Sequence, residues 1–387
     1  MQNFDDIRPY NDAEVAPVVA RLIANKALHA AYIKWRFGDW PEWARKILQP
    51  FAGVAMRYRF GGIKTVLEFQ SHVEQFLIRM LETTSSGLSV YGVDSLKADK
   101  AYLFLSNHRD ITLDPALANM ALYQNGLDTL RIAIGDNLLT LDFASDLMRI
   151  NKSFIVKRSA SGPRQMLAAY KQLSSYIRHS VSVDNHSVWM AQREGRAKDG
   201  NDVTQPAIIK MLTISQNRKA ETFQQVVKEL NIVPMAISYE YDPCDLAKAN
   251  ELYTIATAGE YVKAEQEDMA SIAAGFVGHK GHIHISFGKT IEGDFETPEE
   301  VAAEVDRQVI ANYALYPCNV VAYQMLHGSV PQGMRLFDGS IWDPVKYKTE
   351  QAVFEARLAQ CPTEQRDYFL NIYANCIVRK LELNVLN

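Results

Sequence analysis

Between Leu88 and Phe287 the chain keeps changing its period, and that alternation limits the folds open to it. Short apolar runs at Leu88–Val93, Tyr102–Leu105, Leu130–Ile134, Ser153–Val156, Ser187–Met190, Ile232–Tyr239 and His282–Phe287 read as strands. Helix-like segments lie between them near Pro115–Leu122, Leu138–Met148, Gly162–Ile177 and Ala220–Leu230. Strand and helix in turn predict an α/β core, a mostly parallel sheet with flanking helices. On either side the period is helical throughout: Val15, Val18, Val19, Leu22, Ile23 and Val66, Phe69, Val73, Phe76, Leu77, Met80 before the core, then Val301–Tyr313 and Thr349–Leu381 after it. The expected division is a helical N-terminal region over 1–85, an α/β core over 86–292 and a helical C-terminal region over 293–387. Thr83-Thr84-Ser85-Ser86-Gly87 marks the first break.

At 387 residues the chain can bury a large core. Its net charge of -4 argues against a nucleic-acid partner. The four cysteines (Cys244, Cys318, Cys361, Cys376) are scattered, with no CxxC pair, and read as free thiols in a reducing compartment. Asp5, Asp6 and Arg8 interrupt the start before any apolar stretch, and the best spanning candidate, Val15–Ile33, carries Arg21, Asn25 and Lys26. A cytoplasmic protein with no integral membrane segment is expected.

The charge is unevenly spread. From Arg21 to Lys64 the basic residues are Arg21, Lys26, Lys34, Arg36, Arg45, Lys46, Arg57, Arg59 and Lys64, against only Asp39 and Glu42. Tyr32, Trp35, Phe37, Trp40, Trp43, Phe51, Tyr58 and Phe60 are interleaved with them. Either the aromatics face a core and the cations are solvated, or the stretch is a patch for an anionic membrane surface at the inner face.

Four segments carry the candidate chemistry. The first is Asn107-His108-Arg109-Asp110-Ile111-Thr112-Leu113-Asp114-Pro115, directly after a buried-strand run. A histidine there with carboxylates close behind is a candidate general-base pair, because a carboxylate fixes the ring tautomer and stabilises the imidazolium. Asp110 and Asp114 are the two candidates, and Asp114-Pro115 also fits a helix start. The second is Ser153–Arg158, a strand ending in Lys157 and Arg158. The third is Gln192-Arg193-Glu194-Gly195-Arg196, after the strand with Trp189, and the fourth is Val233-Pro234 to Tyr239. In a parallel sheet the first three place polar groups at the carboxyl rim, where ligands bind. Arg109, Lys157, Arg158, Arg193 and Arg196 suit a phosphate, and Gly195 lets a backbone amide come close.

These blocks, in this order, resemble those of the glycerolipid acyltransferases, the glycerol-phosphate and lysophosphatidate acyltransferase superfamily, over roughly Leu88–Gly288. That family has a His, four residues and an Asp; then a strand ending in basic residues; then Glu-Gly-x-Arg; then a strand with Val-Pro. Here five residues separate His108 from Asp114, and Asp110 sits two after the histidine. The Leu-Asp-Pro context resembles the family's, which favours Asp114. The resemblance implies that His108 takes the proton from a glycerol or lysolipid hydroxyl as it attacks an acyl thioester, with Asp114 orienting the ring. It implies that Lys157, Arg158, Arg193 and Arg196 hold the acceptor phosphate and that Glu194 orders the loop or contacts the acceptor's other hydroxyl. The donor would be acyl-CoA or acyl carrier protein, a substrate rather than a cofactor, and no metal is needed. The helical N-terminal layer looks more like the soluble glycerol-3-phosphate acyltransferases.

Three other readings compete. His108-Arg109-Asp110 occurs in protein kinases, but Pro115 stands where their Asn belongs and no Gly-rich loop or Asp-Phe-Gly is present. His279, His282 and His284 could serve a metal-dependent hydrolase, or be solvent-facing histidines on a strand. The altered His-to-Asp spacing would suit a catalytically silent lipid-binding protein of the same fold. Met166, Leu167 and Tyr170 are expected in a helix core, and Asn375 is expected to bond internally.

Overall fold

In a computed structural model the seven apolar runs are strands, each within about two residues of its expected bounds. The structure describes residues 3–37, 40–139, 143–264 and 266–386. Asp39, residues 140–142 of the helix expected over Leu138–Met148, and the side chains of Trp35 and Arg36 lie outside the described residues. The chain opens with helices α1 (Asp12–Ala24), α2 (Lys26–Arg36), α3 (Glu42–Phe60) and α4 (Val66–Thr84). Then come β1 (Gly87–Tyr91), β2 (Leu103–Ser106), α5 (Leu113–Gln124), β3 (Arg131–Gly135), α6 (Ala144–Ile150), β4 (Ser153–Val156), α7 (Pro163–Ser182) and β5 (Val188–Ala191). They are followed by α8 (Pro206–Thr213), α9 (Phe223–Glu229), β6 (Ile232–Tyr239), α10 (Asp245–Ala258), α11 (Glu267–Val277) and β7 (His282–Phe287). The helices α12 (Pro298–Asn312), α13 (Pro317–His327), α14 (Lys348–Leu358) and α15 (Arg366–Glu382) close the chain.

The compact units are not the three consecutive regions expected from the sequence. One unit joins Met1–Leu77 to Leu130–Leu173, and the other holds Ile78–Thr129 and Ser174–Asn387. The reason is long-range pairing at the N-terminus. The Ile155 amide on β4 donates to the Ile7 carbonyl (2.9 Å), and Tyr10 donates from its amide to Arg149 (3.1 Å). Asp146 on α6 accepts from the Arg21 guanidinium and from the Tyr10 hydroxyl. Val15, Val18, Val19, Leu22 and Ile23 of α1 share a core with Met56, Ile63, Phe143 and Ile150. In this unit β3 pairs with β4 in parallel.

In the larger unit the strands run β1-β7-β6-β2-β5. The β1–β7, β6–β2 and β2–β5 pairs are parallel, and only β6–β7 is antiparallel. Every residue of β2 and β6 is buried, as expected of strands covered on both faces. Pro234 sits in β6 opposite Gly288, just past the end of β7. Its carbonyl accepts from the Gly288 amide (2.8 Å), and having no N–H it returns no bond. In this unit α12 lies on β6, while α13 and α15 enclose a core with Tyr316, Phe354, Phe369 and Tyr373. The single helix expected over Thr349–Leu381 is two, broken at Cys361-Pro362, because proline cannot donate the helical hydrogen bond. All four cysteines are free and buried. Met166, Leu167 and Tyr170, expected in a core, are instead exposed on the first turns of α7, where the surrounding positions are exposed as well.

Candidate active site

The site grows from the carboxyl end of β2. Asn107 fixes that end to β6: its Oδ1 accepts from the Ile237 amide (2.8 Å), and its Nδ2 donates to the Ile237 carbonyl (3.0 Å) and to Asp202 (3.2 Å). His108 follows, partly buried, with its ring edge-on to Trp189 of β5 at 5.5 Å. Its Nδ1 lies 2.8 Å from Asp114 Oδ2. Asp114, in the first turn of α5, is fully buried. Its Oδ2 also accepts from the amides of Arg109 (2.6 Å) and Asp110 (3.0 Å), and its Oδ1 accepts from the Tyr239 hydroxyl (2.8 Å).

The loop therefore folds around one carboxylate, and the extra residue between His108 and Asp114 does not separate them. Asp110 serves the backbone instead. Its Oδ1 accepts from the amides of Thr112 and Leu113 (3.0 and 2.8 Å), closing the turn that starts α5. Burial, then the charge of Asp114, raises the Asp110 carboxyl above the usual range. Gly275 of α11 comes so near that a Cβ there would stand 2.3 Å from Asp110 Oδ2. Among the described residues no side chain engages Nε2 of His108 in a hydrogen bond. The ring is thus anchored at one nitrogen and open at the other, the arrangement a general base needs.

The expected cations divide into two groups. Arg109 does not stand at the rim, nor does it pair with Asp110. Its guanidinium is buried, 2.9 Å from Asp202 and 5.3 Å from the Tyr313 ring centroid, and it donates to the Tyr313 hydroxyl (3.3 Å). Lys248, also buried, donates to the Arg109 carbonyl (2.9 Å) and pairs with Asp242. Arg193 and Arg196 are half-buried and keep atoms without any protein partner, Nε of Arg193 and Nη1 of Arg196. The Ala197 amide donates to the His108 carbonyl (3.3 Å), which ties their loop to the histidine. Glu194 is exposed, and its amide donates to the Gln205 side chain. Gly195 has φ of +72°, a conformation that favours glycine. In the smaller unit Lys157 pairs with Asp6 and donates to Gln172 (3.2 Å), while the Arg158 amide donates to Asp136 (3.0 Å).

His282 and His284 are not solvent-facing. Both ring nitrogens converge on the Ser89 hydroxyl, at 2.9 and 2.7 Å, and His279 is exposed against Tyr241. Among the described residues no group of three or more His, Cys, Asp or Glu side chains could hold a metal ion. Asn375 donates to the Asp199 carbonyl (2.8 Å), the internal bond expected of it. Sequence reasoning missed Tyr239 and Asp202. Tyr239 ends the strand that opens with Val233-Pro234, so position alone could have pointed to it. No local pattern marks Asp202.

The structure thus places a histidine–carboxylate pair at the carboxyl rim of a largely parallel sheet, where ligands of such sheets bind. Residues 87–238 match the family model described as Acyltransferase. This part of the chain is similar to an acyltransferase domain. The chain is also similar to the crystal structure of the 1-acyl-sn-glycerophosphate (LPA) acyltransferase PlsC from Thermotoga maritima. There the TM-score is 0.36 and the identity 10%, over 77% of this chain and 92% of that one. No curated protein matches the chain.

Proposed function

We propose that this protein moves a fatty acyl group from an acyl thioester, on coenzyme A or acyl carrier protein, to a hydroxyl of a glycerol phosphate or lysophospholipid. The observation that carries the reading is the 2.8 Å contact between His108 Nδ1 and a buried Asp114. It presets the tautomer whose Nε2 is a base. As the acceptor hydroxyl attacks the thioester carbonyl, Nε2 takes its proton, and Asp114 stabilises the imidazolium that results. The proton then passes to the departing thiolate. The unpartnered donors of Arg193 and Arg196 suit the acceptor's phosphate, and Glu194 and Gly195 shape their loop.

The partners of this reading are the thioester donor, a phosphorylated acceptor and an anionic membrane surface, the last reached through α3. On that helix Trp43, Ile47, Phe51, Val54 and Tyr58 form one exposed stripe, with Lys46, Arg57 and Arg59 exposed around it. Among the described residues no helix is long and apolar enough to cross a membrane. The placement proposed is the cytoplasmic face.

Thiol release from acyl-CoA and acyl-ACP is the test, with glycerol 3-phosphate or lysophosphatidate as acceptor. Acceptor-dependent release is expected from the wild type, and His108→Ala should lower kcat by roughly 10²- to 10⁴-fold. Thioester binding without turnover from the folded wild type, across both donors and both acceptors, would point to the silent lipid-binding reading.

A further inference from the structure

We propose that Tyr239 is a positioning residue for the His108–Asp114 pair, its phenol holding the second oxygen of the carboxylate so that the first stays on Nδ1. The inference rests on the reading of His108 as general base. Asp114 is fully buried, so each oxygen needs donors from the protein. Oδ2 has three, Nδ1 of His108 and the amides of Arg109 and Asp110. At Oδ1 the structure gives one side-chain donor, the Tyr239 hydroxyl at 2.8 Å. That phenol is rigidly placed relative to the histidine. It ends β6, which Asn107, the residue before His108, clamps by two hydrogen bonds to Ile237.

The charges around the pair are accounted for. Asp110 lies beside Asp114 on the same loop and is itself opposed by Arg196. Asp242 is near Tyr239, paired with Lys248. Arg109 and Tyr313 line the same small cavity as Tyr239. Lys280, from the turn before β7, feels Asp110. Burial, then the Asp114 charge, pushes the Tyr239 phenol well above its ordinary range, so it remains a donor at any working pH.

Removing this hydroxyl leaves Oδ1 without its side-chain donor. The carboxylate can then turn, Oδ2 is no longer held on Nδ1, and the ring loses its fixed tautomer and orientation.

The test is Tyr239→Phe, which keeps the ring volume, read by NMR titration of the His108 imidazole and by acyl transfer. The His108 resonance is assigned from its absence in His108→Gln. The expected result is a titration midpoint moved by about half a pH unit or more. The acid limb of kcat/KM should move with it, and kcat should fall by about tenfold while both KM values stay within about twofold. In an Asp114→Asn background the same substitution should change kcat by less than about twofold, because its route of action is gone. An unchanged His108 titration, or an equal loss of kcat in that background, would overturn the proposal, and melting curves report any global destabilisation separately. If the wild type shows no His108-dependent transfer, the acyltransfer reading falls, but the titration still decides whether Tyr239 acts on the pair.

Discussion

Asp110 and Asp114 lie four residues apart and both are buried, yet the loop gives them opposite duties. Asp114 collects donors that stabilise a carboxylate facing a ring nitrogen, and Asp110 satisfies the amides of the following turn. The two substitutions should therefore separate cleanly. Asp114→Asn should lower kcat by about 10³-fold, because an amide can present its NH₂ to Nδ1 and stabilise the wrong tautomer. Asp110→Asn keeps an acceptor for the turn, so kcat should stay within about tenfold and the melting temperature should fall by a few degrees. Steady-state kinetics with a melting curve checks both. A larger kcat loss at Asp110 would reverse the assignment. This distinction was only half legible in the sequence. The spacing offered both carboxylates, and the choice depends on which amides the loop turns inward. Arg109 shows the same limit. Its sequence neighbours suggest a rim cation, but the buried partner that claims it, Asp202, lies 93 residues away.

At the scale of elements, legibility followed burial. Strands such as β2 and β6 are apolar on both faces, so they stood out as runs. The helices α10 and α11 and the break between α14 and α15 were not read, because their faces are mixed and tertiary partners decide their ends. In α3 the amphipathic pattern was visible, but its outward face was not. The aromatics Trp40, Trp43, Phe51 and Tyr58 proved exposed, against the core-facing alternative. An exposed apolar stripe rimmed by cations predicts binding to anionic vesicles that weakens with salt. Replacing Trp43 and Phe51 together by Ser should reduce co-sedimentation at low salt by about tenfold or more, without altering the circular dichroism spectrum. Wild-type protein that stays in the supernatant at low salt would remove the membrane from the reading.

For the whole molecule, the four thiols report on how tightly the chain is closed. The sequence showed that they are scattered, but not that the fold buries every one. Their positions fall on helices and turns whose inward faces are set by partners far along the chain. Burial, the leading cause at each of them, raises the thiol: Cys244 to about 11 and Cys376 to about 12, with Cys318 and Cys361 also above their ordinary range. Native protein should then react with almost no aromatic disulfide reagent at pH 8, and with all four thiols after denaturation. The slow native reaction measures opening of the fold. The sign of the pH effect follows from the same shifts. Below pH 9 these groups are protonated in both states and keep their full stabilising effect. Above it the unfolded chain releases protons that the folded one retains, so stability declines as pH rises toward 11 and 12. The buried phenols of Tyr239 and Tyr373 act in the same direction. Melting temperatures measured from pH 8 to 11 should fall, and Cys244→Ala should flatten the first part of that fall. A flat profile in the wild type, or rapid labelling of a native thiol, would show that the interior is more open than its packing implies.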